Sequence, residues 1–232
     1  MRIAIVSDIH GNLTAFEAVL KDLRDTAPDL ILHGGDLAGP GSSPVEIVDQ
    51  IRALGWPGVY GNTDEMLFNP QSLTNFAASM PQLKSMFGKI AEMADWLRDR
   101  LGPDRVAWLN TLPEVYIEKP VALVHASPAS TWRVGSEADL EALGQPLAVY
   151  GHTHLPFVKS PFVNWTIANA GSVGQPYDGD RRASYLLIDS GAPAIRRVEY
   201  DVEKELKALN RSGLPHAEWM VRTLESASPQ MP

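Results

Sequence analysis

An α/β fold is predicted on three observations. Residues 2–7 form a nearly continuous apolar run, the pattern of a strand buried on both faces, and it stops at Asp8. A helical stripe follows at 12–25, with Leu13, Phe16, Val19, Leu20 and Leu23 on one side, and the pair is repeated by a strand at 30–33 and a helix at 43–54. From residue 115 the texture changes to short runs at 115–118, 121–124, 147–150, 165–168, 184–188 and 195–200 separated by turn residues, so the second half reads as β-rich.

Each element has a local reason. Asn12 is the cap candidate of the first helix, which ends before Pro28. Ser43-Pro44-Val45-Glu46 combines a capping box with proline at the first helical position. Val59 and Tyr60 lead into Gly61. Residues 66–112 are mostly helical in pattern, broken at Pro70, Pro81 and Pro103, with Trp96, Leu97 and Leu101 as core contacts; this reads as a helical insertion in a single domain spanning 1–232. Terminal helices are expected at 202–210 and 216–226, with a frayed end at 228–232.

Composition narrows the chemistry. With 232 residues and 44% apolar content, the chain suits one globular domain that buries roughly 70% of its unfolded surface. A net charge of −8 and a pI near 5.2 exclude a global attraction to nucleic acid or an anionic membrane, so any phosphate affinity must be local. The absence of cysteine removes disulfides, thiolate metal sites and cysteine nucleophiles together, leaving His, Asp, Glu and Asn as ligands. The first apolar run is too short for a signal peptide and no stretch of about 18 apolar residues occurs, so a cytoplasmic location is expected.

The informative regularity is where polar, metal-competent residues fall. They stand where an apolar strand ends: Asp8 and His10 after Val6, Asp36 after Leu32-His33-Gly34-Gly35, Asn62 after Gly61, His125 after Val124, and His152 and His154 after Val149-Tyr150-Gly151. In α/β sheets the carboxyl ends of strands form the ligand crevice, so these five loops can converge on one point. Residues two apart in an extended segment point the same way, which pairs Asp8 with His10 and His152 with His154. Singly, each has a plainer reading: Asp8 and Asp36 as caps, Asn62 as turn chemistry, His125 as a core histidine bonded to backbone. Together those readings require independent coincidences at five loops. Carboxylate, amide and imidazole in one set suit Mn, Fe, Zn, Co or Ni better than an all-oxygen Mg or Ca site.

These motifs resemble the calcineurin-like metallophosphoesterases, whose pattern runs Asp-x-His, Gly-Asp, Gly-Asn-His-Asp or Gly-Asn-Cys-Asp, a lone His, and Gly-His-x-His. The likeness covers nearly the whole chain, and Asp8-Ile9-His10-Gly11-Asn12, Gly35-Asp36-Leu37-Ala38-Gly39-Pro40 and Asn169-Ala170-Gly171-Ser172-Val173-Gly174-Gln175-Pro176 are similar to its small bacterial and archaeal phosphodiesterase branch. The resemblance implies a four-layer α/β/β/α sandwich of two mixed sheets flanked by helices. It also implies two divalent metal ions, with Mn expected to serve in assays: Asp8, His10 and His154 on one, Asn62, His125 and His152 on the other, and Asp36 bridging. Catalysis would rest on Asp36, Asn62, Asp64 and His125, through a metal-activated bridging hydroxide attacking phosphorus in line.

One position departs from the commoner pattern. Thr63 follows Asn62 where many members carry the histidine that protonates the leaving group, oriented by the residue at Asp64. A threonine hydroxyl is a poor acid near neutral pH, so phosphodiesters and leaving groups that need little protonation are expected. His33 could serve as the acid instead, but its strand position favours a buried structural role, and His216 is expected at the surface. Arg133, Arg181 and Arg182 are the candidate substrate contacts, with solvated surface charge as the alternative; Trp132 could stack a base or belong to the core. Phosphomonoester, nucleotide or phosphoprotein substrates stay open beside diesters, as does a metal-free scaffold subunit of the same fold, which the filled ligand positions disfavour. A dinucleotide-binding reading of 34–41 fails because no Gly-x-Gly-x-x-Gly opens the first helix. The expected partner is a small phosphoester or nucleotide substrate, without membrane or strong nucleic-acid binding; a homo-oligomer stays open.

Overall fold

The computed structural model describes residues 1–231. Its first half is β1 (Ile3–Val6), α1 (Leu13–Thr26), β2 (Leu30–His33), α2 (Pro44–Leu54), α3 (Asn62–Phe68), α4 (Pro70–Ala78), a 3-10 turn at Pro81–Leu83 and α5 (Lys84–Leu109). The second half is β3 (Val115–Glu118), β4 (Val121–Val124), α6 (Glu137–Glu141), β5 (Leu147–Tyr150), β6 (Phe157–Phe162), β7 (Trp165–Asn169), β8 (Ala183–Asp189), β9 (Ala192–Val198), α7 (Val202–Arg211) and α8 (Ala217–Ser226). Two mixed sheets form, one ordered β2-β1-β8-β9 and the other β3-β4-β5-β7-β6.

Alternation along β1 shows how the layers stack. Ile3 and Ile5 face the second sheet and pack with Val121, Leu123 and Val149, while Ala4 and Val6 face α1, α2 and α5 through Phe16, Ile47 and Leu97. Both faces are dry, which explains the continuous apolar run, and each buried isoleucine is worth about 1.5–3 kcal/mol. The outer face of the second sheet carries Ala148, Trp165 and Ile167 and is covered by Leu140 of α6. The result is the expected α/β/β/α sandwich.

Parallel pairing aligns the strand ends that matter. β1 runs parallel to β2 with Val6 opposite His33, and β4 runs parallel to β5 and β5 to β7, so Asp8, Asp36, His125 and His152 all leave carboxyl ends. Beyond the strands the first two loops stay laddered: the Asp8 amide donates to Gly35 O at 3.0 Å, that of His10 to Asp36 O at 2.9 Å and that of Gly11 to Leu37 O at 3.0 Å.

Several local expectations need correction. Ser43 precedes α2, but its side chain makes no capping bond and pairs with Ser42, so the capping box does not form. β6 was not legible because Lys159, Ser160 and Pro161 lie exposed on an edge strand with no buried alternation. β9 spans Ala192–Val198 rather than 195–200, set by a tight turn in which Ser190 and Gly191 both have positive φ. The segment 228–231 is not frayed: Trp219 Nε1 donates to Gln230 O at 2.7 Å and Arg222 reaches Met231 O at 3.2 Å, while Pro232 lies outside the described residues. Among the described residues no helix is long and apolar enough to cross a membrane.

Candidate metal centre

The chain turns abruptly at each strand end. Asp8, His10, Asp36, His152 and His154 all have positive φ, between 49° and 60°, a region that non-glycine residues enter at a cost. The pairs Asp8/His10 and His152/His154 are therefore not extended segments presenting alternate side chains, as the two-residue spacing predicted. Each member is a left-handed kink that turns a strand's exit back over the sheet edge. Gly35, with φ of 85°, completes the turn before Asp36, and a Cβ there would meet Gly61 N at 2.4 Å, so only glycine lets the two loops touch.

All seven candidate ligands converge. Asp8, His10, Asp36 and His154 place one ligand atom each within 4.8 Å of one another, and all four are buried. His154 Nε2 lies 3.2 Å from Asp8 Oδ1, and Asp36 Oδ2 lies 3.5 Å from His10 Nε2 and 3.6 Å from His125 Nε2. On the far side of Asp36, Asn62 Oδ1 sits 2.9 Å from His125 Nε2 and 2.8 Å from His152 Nδ1. One carboxylate oxygen thus stands between two groups of donors.

Neighbours hold these side chains in donor form. The Nδ1 atoms of His10, His125 and His154 face the carbonyls of Gly39 (2.8 Å), Gly34 (2.8 Å) and Gln175 (2.5 Å). A carbonyl only accepts, so each neutral ring carries its proton on Nδ1 and turns the Nε2 lone pair inward. Ser7 Oγ donates to Asp8 Oδ2 at 2.6 Å, the His152 amide lies 3.2 Å from both Asp8 oxygens, and the Thr63 amide donates to Asp36 Oδ1 at 2.8 Å, while Asp8 Oδ1 and Asp36 Oδ2 are the oxygens nearest the histidine nitrogens. His10 Nε2 and His154 Nε2 then face each other at 3.1 Å with a lone pair apiece. Acceptors crowded this closely repel unless a cation lies among them, so the donor set fits divalent metal.

Burial works against ionised Asp8, but the neighbouring His154, His125 and His10 outweigh it and hold the carboxyl well below its ordinary range. Burial lowers His10, and lowers His152 to about 4, keeping both rings neutral near pH 7; His125 is raised because Asp36 and Asp8 overcome its burial.

A calcineurin-like phosphoesterase superfamily domain matches residues 1–192. The chain belongs to that superfamily. An uncharacterized protein of Methanocaldococcus jannaschii is 33% identical over 243 residues, covering 94% of this chain and 95% of the relative. The crystal structure of a metallophosphoesterase from Sphaerobacter thermophilus superposes with a TM-score of 0.77 at 30% identity, over 98% of this chain and 100% of that one. A symmetrical bis(5'-nucleosyl)-tetraphosphatase of Methylococcus capsulatus is 34% identical over 135 residues, 57% of this chain and 45% of that enzyme. The chain is accordingly a metal-dependent phosphoesterase, a hydrolase of phosphoester bonds.

The remaining predicted positions of this phosphoesterase lie elsewhere. Asp64, expected to orient an acid at position 63, instead clamps backbone: its carboxylate accepts from the amides of Leu37 (3.0 Å), Ala38 (3.3 Å) and Gly61 (3.1 Å), while Thr63 Oγ1 has no partner. Burial and the charge of Asp36 push Asp64 up to about 7, against those donors. Arg133 donates to Ser79 and lies over the Phe76 ring, Arg182 pairs with Asp180, and Arg181 approaches Glu203 at 4.0 Å; none lines the cavity over the centre. His33 is fully buried, as expected. His216 is part-exposed at the surface, where it bonds Glu92 of α5 at 2.8 Å.

The sequence reading missed the layer behind the ligands. Tyr177 stacks on His154 with centroids 4.2 Å apart, and Ser172 Oγ donates to Asp8 O at 2.7 Å while accepting from the Gln175 amide. Its signal was the run 169–176, noted only for its likeness to one branch of the superfamily. Also missed was a cavity of about 330 Å³ over the centre, whose walls come from α3, α5, α8 and the C-terminal segment.

Proposed function

We propose that this chain holds two divalent ions, with Asp8, His10 and His154 on one, Asn62, His125 and His152 on the other and Asp36 bridging, and that it hydrolyses phosphodiesters in preference to monoesters. The observation that carries the reading is the position of Asp36 Oδ2, nearly equidistant at 3.5 and 3.6 Å from a histidine nitrogen of each group. When bound, such a metal pair supplies Lewis acidity at the phosphoryl oxygens and a water acidic enough to attack near neutral pH. The chain's own residues fix the geometry: three carbonyls set the histidine tautomers, Ser7 and the Thr63 amide aim the two aspartates, and Asp64 ties the Asp36 loop to the start of α3.

Diester preference is inferred from proton supply. Besides the proposed ligands, the titratable side chain lining the cavity is Tyr177, whose phenol burial raises above its ordinary value, which makes it a poor proton donor. Thr63 is no better. The leaving group must then depart without a proton from a side chain, which favours esters of acidic alcohols. The whole described chain is read as one domain, with 66–112 as its helical insertion.

Partial likeness to tetraphosphatases supports a second reading, a nucleotide substrate. Both readings are tested by metal analysis of purified protein and by paired assays with Mn²⁺ on chromogenic mono- and diesters and on dinucleoside tetraphosphate. About two equivalents of metal and faster diester cleavage are expected. No turnover on any ester would leave the scaffold reading standing and refute this one.

A further inference from the structure

Above the proposed ligands the cavity changes character. Its floor holds His10, Asp36, Asn62, His152 and His154. Its walls are apolar: Met66 of α3, Met86, Ile90 and Met93 of α5, and Trp219 and Met220 of α8. Trp132 and Tyr177 add aromatic faces, and Pro229 and Met231 supply a further wall. Among the described residues no lysine or arginine lines it.

Charge bears directly on what fits. A phosphoryl group at the floor would be neutralised by the proposed metals, but further phosphates would lie against thioether, indole and aliphatic surface in a chain of net charge −8. Desolvating such charges without a partner is costly. Methionine walls instead adapt to flat organic groups of varied outline. The polar atoms Thr63 Oγ1, Trp132 Nε1 and Thr223 Oγ1 of lining residues are shielded from water and so lie behind the cavity surface. The cavity therefore asks for an apolar body.

Resting on the phosphoesterase reading above, we propose that the ester cleaved here bears an uncharged, flat, largely apolar group seated among Met86, Ile90, Met93 and Trp219, and no second phosphate. This body, not a polyphosphate chain, sets specificity.

The test separates this proposal from the one beneath it. With Mn²⁺-loaded protein, calorimetry should show 1-naphthylmethylphosphonate binding roughly tenfold or more tighter than methylphosphonate, the difference being apolar area buried. In metal-stripped protein, 1-naphthol should quench tryptophan fluorescence saturably. Ile90→Ala, which shortens one wall, should weaken 1-naphthol and 1-methylnaphthalene alike, about threefold, for the apolar area lost. Ile90→Lys should weaken the naphthyl phosphonate and strengthen diadenosine tetraphosphate. Equal binding of the two phosphonates, or tighter binding of the tetraphosphate by the unaltered protein, overturns the inference, as does absence of 1-naphthol binding. Should no ester be turned over, the catalytic reading falls and this proposal with it; turnover without apolar preference sinks this proposal alone.

Discussion

Replacing Asp64 by asparagine probes how the centre is held together without touching a proposed ligand. Asp64 is fully buried, and its two oxygens serve the amides of Leu37, Ala38 and Gly61. Asparagine keeps one oxygen. If that oxygen stays with Leu37 and Ala38, an NH₂ group confronts the Gly61 N–H, and two donors face each other in a dry site. A buried donor left unpaired costs about 1–3 kcal/mol, and the expected destabilisation is of that size, larger for Asp64→Ala. Asp36 follows the same loop and takes the Thr63 amide at 2.8 Å, so its aim loosens and metal affinity should fall about 10- to 100-fold, as for other residues that orient ligands. Urea unfolding of metal-stripped protein isolates the first effect and Mn²⁺ calorimetry the second. If Asp64→Asn unfolds within about 0.5 kcal/mol of wild type and binds Mn²⁺ as tightly, the clamp is not what holds Asp36.

Three further outcomes follow from the same geometry. His33 is fully buried, burial lowers it to about 4 from 6.5, and its ring nitrogens find only loosely placed backbone groups of Val59 and Trp56. The unfolded chain takes up that proton first, so this contribution is complete above pH 6.5 and is lost as pH falls towards 4, in all about 3 kcal/mol; urea midpoints of wild type and His33→Gln between pH 4 and 7 should diverge accordingly, and parallel curves would refute it. Gly61→Ala would place a Cβ 2.0 Å from Asp36 Oδ1 and 2.5 Å from its amide nitrogen, so Asp36 must swing away and Mn²⁺-dependent turnover should drop about 100-fold or more with circular dichroism unchanged; near-wild-type activity would show that Asp36 is not the bridge. Thr63→His should raise turnover of esters with poor leaving groups about 10- to 100-fold relative to activated ones if the site lacks a proton donor, and an unchanged ratio would show that protons come from elsewhere.

How far the sequence carried depended on how local each cause was. β1, β2, β4 and β5 were legible because burial on both faces leaves an unbroken apolar run, and α1 because its stripe and Asn12 cap are complete within one segment: the Asn12 side chain accepts from the Ala15 amide at 2.9 Å. Ser43 shows the limit, since a capping signature was present and the bond was not made. The edge strand β6 and short α6 left no periodicity to read. The seven candidate ligands were visible because metal chemistry restricts the residue types and strand ends restrict their places. The left-handed backbone of five of them was not, nor was the use of Asp64 as a loop clamp.

What the sequence by itself determined is the superfamily, the order of strands and helices in the β-α half, and which side chains can bind metal. These follow from short-range patterns and from residue chemistry that few alternatives can supply. Only the tertiary structure decided which side of each candidate ligand faces the centre, that Arg133, Arg181 and Arg182 turn to Ser79, Glu203 and Asp180 rather than to the cavity, and that methionines from α3, α5 and α8 roof the candidate centre. The reason is physical: apolar burial is non-directional, so a methionine or tryptophan carries no mark of which neighbour it will meet until the helices pack.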